Sequence, residues 1–128
     1  MSIKPNLFSG LLLLLLSMNA CTTSQDCQKF RNGKFMMIYK GHTTIITRYG
    51  GTQTETLDSA HSTLNVKWVD DCTYILTPTK ETLKRRPEIH KDNFVKVEIT
   101  KVNPNSYMQT STNNFSDIVI TAEIFKIN

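Results

Sequence analysis

The stretch that decides the fold class of this chain is LNVKWVDDCTYILT, residues 64–77. Apolar side chains occupy alternate positions on both sides of a pair of aspartates, and they are Leu64, Val66, Trp68, Cys72, Tyr74 and Leu76. A period of two predicts half-buried β-strands, because successive side chains of a strand point to opposite faces. Asp70 and Asp71 favour a turn. The stretch therefore predicts an antiparallel hairpin with Trp68 on its buried face.

Further strand-like segments continue in both directions from this hairpin. They cover residues 34–39, 43–49, 52–57, 95–100, 107–112 and 118–127, with turn signals at Gly50-Gly51 and at residues 103–106. About eight short strands in sequence order predict an all-β antiparallel meander, closed as a small up-and-down barrel or left as a strongly curled sheet. Residues 79–91 lack an apolar stripe, so we expect a loop or a single helical turn there.

The first 21 residues predict where the protein goes. Lys4 precedes the leucine run Leu11 to Leu16, and the small Ala20 stands directly before Cys21. This is the pattern of a secretory signal peptide, and Ala20-Cys21 resembles the lipobox of bacterial lipoproteins. We expect a signal peptide over 1–20, lipidation of Cys21, a short tether over 21–26 and one β domain over 27–128. The alternative is ordinary secretion. Thr22 in place of an aspartate favours the outer membrane.

The cysteine count is informative once Cys21 is assigned to the anchor. Cys27 and Cys72 remain as an even pair in an exported, oxidising compartment, which favours a disulfide. A metal site and a reactive thiol are the alternatives, but the two cysteines lack the close spacing of a zinc site.

The chemistry expected of the chain is narrow. Lys and Arg total 15 against 11 Asp and Glu, a net charge of +4 that is too small and scattered to indicate nucleic-acid binding. No nucleophile elbow, phosphate-binding glycine loop or zinc-protease motif occurs in the sequence. The three histidines, His42, His61 and His90, are far apart and fall near predicted turns. We expect no enzymatic activity, no cofactor and no metal.

An ordered set of short motifs resembles a known group of proteins. The motifs are CQKFRNGKF (27–35), ITR (46–48), QTE (53–55), VKW (66–68) and DCTYIL (71–76). With the lipobox, they resemble small, mostly uncharacterised lipoproteins of Bacteroidota, a group sometimes automatically named "DNA topoisomerase IV". The sequence does not support that name, because it has no ATPase motif and carries an export signal. The resemblance implies a lipocalin-like β-fold and structural cysteines, and it implies no activity.

Two surfaces are candidates for binding. The basic residues Lys84, Arg85 and Arg86 would suit contact with anionic head groups or an acidic envelope polymer, and they would equally suit a solvated loop. Large side chains would either fill the barrel or surround one small apolar ligand. In the second case we expect Phe35, Trp68 and Tyr74 to line the cavity. We expect a structural or interaction module with a filled core, and the alternative is a carrier of a small apolar ligand. The volume of the interior distinguishes them.

Overall fold

Eight strands pair in chain order and the last pairs with the first, so the sheet closes on itself. The computed structural model describes residues 24–128. The strands are β1 (Gly33–Tyr39), β2 (His42–Tyr49), β3 (Thr52–Leu57), β4 (Ala60–Asp70), β5 (Thr73–Pro78), β6 (Val95–Val102), β7 (Ser106–Asn113) and β8 (Ile120–Lys126). All neighbours are antiparallel. The predicted all-β meander of about eight strands is confirmed, in its barrel form.

Tight turns join the first strands. Lys40 and Gly41 both have positive φ angles, of 51° and 80°, and so do Gly50 and Gly51, at 59° and 80°. Two-residue hairpin loops with positive φ at both positions match the right-handed twist of the strands that they join. The glycines at 50 and 51 adopt this conformation without the strain that a β-carbon would bring.

The alternation of strand directions defines two ends of the barrel. One end, which we call the packed end, carries the N-terminal segment and the turns at 50–51, 71–72 and 103–105. The opposite end, which we call the open end, carries the turns at 40–41 and 58–59 together with the connections 79–94 and 114–119.

The packed end is filled by side chains from the strands and from a 3-10 helix, Ser24–Phe30, that lies across it. The buried cluster there consists of Cys27, Phe30, Phe35, Ile46, Ile99, Tyr107, Ala122 and Ile124. The ring of Phe30 lies 4.9 Å from that of Tyr107 and 6.4 Å from that of Phe35, centroid to centroid. Aromatic pairs at such separations add stability beyond the area that they bury. The helix therefore closes the barrel as a plug.

The predicted disulfide is present and holds this plug in place. Cys27 in the 3-10 helix is bonded to Cys72 in the turn between β4 and β5. Next to it, the Gln28 amide donates a hydrogen bond to the Asp71 carboxylate at 3.2 Å. Arg31 forms an ion pair with the same carboxylate at 3.5 Å.

A short helix, α1 (Lys80–Arg85), lies at the open end. Thr79 caps it by accepting a hydrogen bond from the backbone N–H of Thr82 at 3.2 Å. Thr82 is buried, and its hydroxyl donates to the Thr63 carbonyl of β4 at 2.8 Å. A single helical turn was one of the two structures expected for residues 79–91, and this helix of six residues is close to it.

The predicted hairpin differs from the structure at its turn. β4 runs on to Asp70 and β5 begins at Thr73, so Cys72 lies in the turn and not on a strand face. The Asp70 carboxylate accepts a hydrogen bond from the Cys72 backbone N–H at 2.9 Å, which stabilises the turn at this position.

The predicted signal peptide, the lipidation site Cys21 and part of the predicted tether lie outside the described residues. Within the described part of the chain, no helix is long and apolar enough to cross a membrane.

Candidate functional site in the barrel interior

The half of the barrel towards the open end contains a chamber of about 200 Å³. Most of its walls are apolar side chains, contributed by Met37, Ile46, Leu64, Leu76, Val95, Val97 and Ile120. Five residues with polar groups also line it, namely Gln53, Glu55, Tyr74, Gln109 and Ser111. The interior is thus neither filled throughout nor uniformly apolar. A small number of polar groups in an apolar cavity is typical of sites for small molecules.

Arg48 lies between the chamber and the packed end, and its side chain is almost completely buried. Its guanidinium donates to the Gln53 amide oxygen at 2.8 Å and to the Phe30 carbonyl at 2.7 Å. It also donates to the hydroxyls of Tyr74 at 2.8 Å and Tyr107 at 3.0 Å. Arg48 therefore ties the 3-10 helix to strands on several sides of the barrel.

Aromatic rings surround the same guanidinium. Its central carbon lies 4.9 Å from the ring centroid of Phe35 and 4.6 Å from that of Tyr74. A guanidinium suits such a position, because it is weakly hydrated and stacks on aromatic faces while its N–H groups remain free to donate.

A chain of hydrogen bonds crosses the barrel at the base of the chamber. From Arg48 it reaches Gln53, whose amide donates to the Glu55 carboxylate at 2.7 Å. In the other direction it reaches Tyr74, whose hydroxyl donates to the Gln109 amide oxygen at 3.5 Å. These hydrogen bonds thus join β3 to β7, which lie on opposite sides of the barrel. It forms a polar floor for the chamber.

The two ends of this chain present unused hydrogen-bonding groups. Within residues 24–128, the Glu55 carboxylate accepts one side-chain hydrogen bond, from the Gln53 amide. Its other oxygen therefore remains able to accept a hydrogen bond. The amide nitrogen of Gln109 donates to no side chain or carbonyl of the described residues. A bound molecule could therefore find both an acceptor and a donor in the chamber.

Burial shifts the acid–base behaviour of this floor. Loss of hydration raises the pKa of Glu55, although the Gln53 hydrogen bond and the Arg48 charge oppose that shift. Burial also raises the pKa of Tyr74 well above its ordinary value. The tyrosine is therefore a neutral hydroxyl at physiological pH, and the carboxyl of Glu55 is disfavoured as an anion relative to one in water.

A second, apolar recess of about 390 Å³ lies at the open end. It shares Leu64, Leu76 and Val95 with the chamber, so the two spaces are adjoining. Its outer wall consists of Pro78 at the end of β5 and of residues from the connections at that end, namely Arg86, Glu88, Ile89, Asn93, Phe94 and Phe115. Arg86 and Glu88 form an ion pair at 3.0 Å, so the charges at this entrance compensate each other.

The residues expected to line a cavity divide between the two halves of the barrel. Tyr74 lines the chamber, as expected. Phe35 is fully buried in the cluster at the packed end, and Trp68 packs against that cluster and against Tyr74, so neither is among the lining residues. Tyr74 differs from its cross-strand partner Trp68 because its hydroxyl reaches across the barrel to Arg48 and Gln109 at the floor of the chamber. The inward orientation predicted for Trp68 is confirmed, because its ring lies 4.6 Å from that of Tyr74.

The basic residues Lys84, Arg85 and Arg86 are exposed at the open end. The chain that leads back to Cys21 enters at the opposite, packed end. The three basic residues therefore lie at the end of the barrel opposite to the 3-10 helix.

The site residues predicted from the sequence did not include Arg48, Gln53, Glu55 or Gln109. A signal existed, because Arg48 shares the face of Thr44 and Ile46 and is paired in register with Gln53. A charged residue on the apolar face of a strand indicates a buried polar network.

Histidine, cysteine and acidic side chains do not combine into a metal site anywhere in the described segment: no group of three or more could hold an ion.

No family model matches the sequence, and no curated protein matches it. Among solved structures, the chain is similar to the crystal structure of Treponema pallidum Tp0751 (Pallilysin). The two share 9% sequence identity, with a TM-score of 0.53 over 98% of this chain and 99% of that one. A likeness at this level of identity concerns the fold alone.

Proposed function

We propose that this protein is a cell-envelope lipoprotein, anchored through Cys21, whose barrel holds one small and largely apolar molecule without catalysing a reaction. Of the two functions left by the sequence, the carrier is favoured over a module with a filled core. The outer membrane is the proposed site of attachment. The Cys27–Cys72 disulfide supports export, because such bonds form and persist in oxidising compartments.

The observation that carries the proposal is the chamber above the Arg48 floor, with its adjoining apolar recess. At about 200 Å³, the chamber is larger than an engineered apolar cavity of about 150 Å³ that takes up benzene. Residues in the walls are mostly Leu, Ile, Val and Met, which favour an apolar occupant.

The direct test is native mass spectrometry of the protein extracted from membranes, with a search for a copurifying small molecule. Two phenylalanine substitutions on neighbouring residues provide a matched comparison. Ser111 lines the chamber and Thr112 is exposed on the outer face of the same strand. Ser111→Phe should remove the bound molecule and Thr112→Phe should retain it. An empty wild-type barrel that also takes up no apolar probe would contradict the proposal.

The anchor is tested separately. Cys21→Ser should release the protein from membranes or leave the precursor unprocessed, because the acyl chains that hold it require the cysteine sulfur. Normal processing and unchanged membrane attachment of this variant would contradict lipidation.

A second function, docking to an envelope protein, is supported by apolar side chains at the open end. Phe115, Ile118 and Val119 are 56%, 60% and 59% exposed in the connection between β7 and β8. If this connection binds a partner, Ile118→Asp should abolish the complex and leave any small molecule in the chamber. Loss of the small molecule with no change in protein association would contradict docking.

A further inference from the structure

We infer, on the basis of the proposed function, that the bound molecule enters polar end first and that this end is an uncharged hydrogen-bonding group, such as a hydroxyl, set beside Glu55. The class of ligand is therefore an apolar molecule that ends in a neutral donor. Apolar molecules ending in a carboxylate or an ammonium group should be rejected.

The direction of entry follows from where the polar groups lie. Apart from the paired Arg86 and Glu88, the outer recess is mostly apolar, whereas Gln53, Glu55 and Gln109 lie at the inner floor. The recess offers a polar group less than the floor does, because Arg86 and Glu88 are already paired with each other and most of the remaining wall is apolar. At the floor it meets the free acceptor of Glu55 and the free donor of Gln109.

We expect the chamber to reject a ligand carboxylate because the guanidinium of Arg48 already donates to protein acceptors. Four of its five N–H groups donate to protein acceptors on or below the floor, and Arg48 is not among the residues that line the chamber. The charged group that faces the chamber is the Glu55 carboxyl. A ligand carboxylate would therefore lie beside a second carboxyl group and gain no ion pair in return.

We expect the chamber to reject a ligand ammonium group because the charges of Arg48 and Glu55 already balance. Arg48 and Glu55 are opposite charges linked through the Gln53 side chain, so the floor as a whole is neutral. A ligand ammonium would pair with the Glu55 carboxylate, but the site would then hold a net positive charge because Arg48 stays ionised, and the ammonium would lose its hydration. A hydroxyl donates to Glu55 and leaves the balance unchanged.

The experiment compares three probes with the same chain, n-decanol, decanoate and decylamine, on delipidated full-length protein. Binding is measured at neutral pH by equilibrium dialysis, below the concentrations at which the probes form micelles. We expect n-decanol to bind tighter than either charged probe by roughly tenfold or more, which corresponds to about 1.4 kcal/mol. Decanoate or decylamine binding as tightly as n-decanol would overturn the inference.

A variant pair assigns the selectivity to Glu55. Glu55→Gln keeps an acceptor for the Gln53 amide and removes the negative charge, so decanoate should gain roughly tenfold in affinity relative to n-decanol, again about 1.4 kcal/mol. Glu98→Gln is the control, since Glu98 is exposed on the outer face of β6 and paired with Lys96 at 3.1 Å. Equal selectivity in both variants would overturn the role of Glu55.

The two proposals fail in different ways. Absence of binding by all three probes contradicts the proposed carrier function itself. Binding of all three without selectivity leaves the carrier and overturns the head-group inference. If Glu55→Gln does not fold, the ranking of the three probes on the wild-type protein decides whether the head-group inference holds.

Discussion

At the scale of single residues, Arg48 determines how the barrel is filled. A guanidinium that is 1% exposed must find acceptors for its N–H groups, and it finds them in Gln53, Phe30, Tyr74 and Tyr107. The acceptors come from the 3-10 helix and from several strands, so this one side chain fixes the positions of elements that are distant in sequence. The same interactions separate the packed end from the chamber.

Replacing Arg48 with methionine should lower the free energy of unfolding by about 3–5 kcal/mol, the range for removing one partner of a buried charged network. Methionine preserves much of the apolar contact and leaves the Phe30 carbonyl and the Gln53 amide without their donor. Urea unfolding of Arg48→Met measures the loss. Arg85→Met is the matched control, because Arg85 is exposed on α1. A variant as stable as the wild type would show that apolar packing compensates for the lost donors.

The partly buried carboxyl of Glu55 gives a pH dependence of defined sign. Because the pKa of Glu55 is raised in the folded state, the folded protein holds more protons than the unfolded chain between the ordinary and the raised value. Stability from this group therefore falls as the pH rises through that window, starting near the ordinary glutamate pKa of about 4.3. Denaturation at a series of pH values should show this fall in the wild type and lose it in Glu55→Gln. Parallel profiles for the two proteins would contradict the assignment.

At the scale of elements, the disulfide and the 3-10 helix act together. The bond joins residues 45 positions apart, and closing a loop of that length restricts the unfolded chain by about 4 kcal/mol on the chain-entropy model. In the folded protein, it also holds the plug formed by Phe30 against the barrel.

Cys27→Ser combined with Cys72→Ser should therefore lower stability by about 4 kcal/mol, a large share of that of a small domain. Denaturant unfolding of this variant and of the reduced wild-type protein should agree with each other. Non-reducing peptide mapping should find the two cysteine peptides joined in the oxidised protein. Free alkylation of both thiols in denaturant without reductant would contradict the bond.

The strands were predictable from the sequence where their side chains alternate cleanly, and β4 and β5 are the clearest cases. β2 and β3 were predicted as strands, but their inward residues include Arg48, Gln53 and Glu55, so the alternation did not show which face is buried. Pairing across the barrel resolves that ambiguity. The closing pair β1–β8 joins the two ends of the domain, and no local pattern in the sequence predicts such a contact.

At the scale of the whole molecule, the choice between a filled core and a cavity could not be made from the sequence. Phe35 and Trp68 are as large and apolar as the residues of a cavity wall, and they were expected to line one only if the barrel held a ligand. In the closed barrel, Phe35 belongs to the packed cluster and Trp68 packs against it, so neither lines the chamber. The volume of the cavity depends on where each side chain lies relative to the Arg48 floor. These positions are set by closure of the barrel and cannot be read from one strand alone.

The unequal filling of the two halves has a consequence for motion. Amide groups near the buried clusters at the packed end exchange with solvent only when most of the structure opens, whereas those beside the chamber are released by small local openings. Hydrogen exchange should therefore slow along β4 from Ser62 towards Trp68, and uniform exchange along that strand would contradict this gradient. One half of the barrel can then fluctuate to admit and release a molecule while the other half keeps the fold intact.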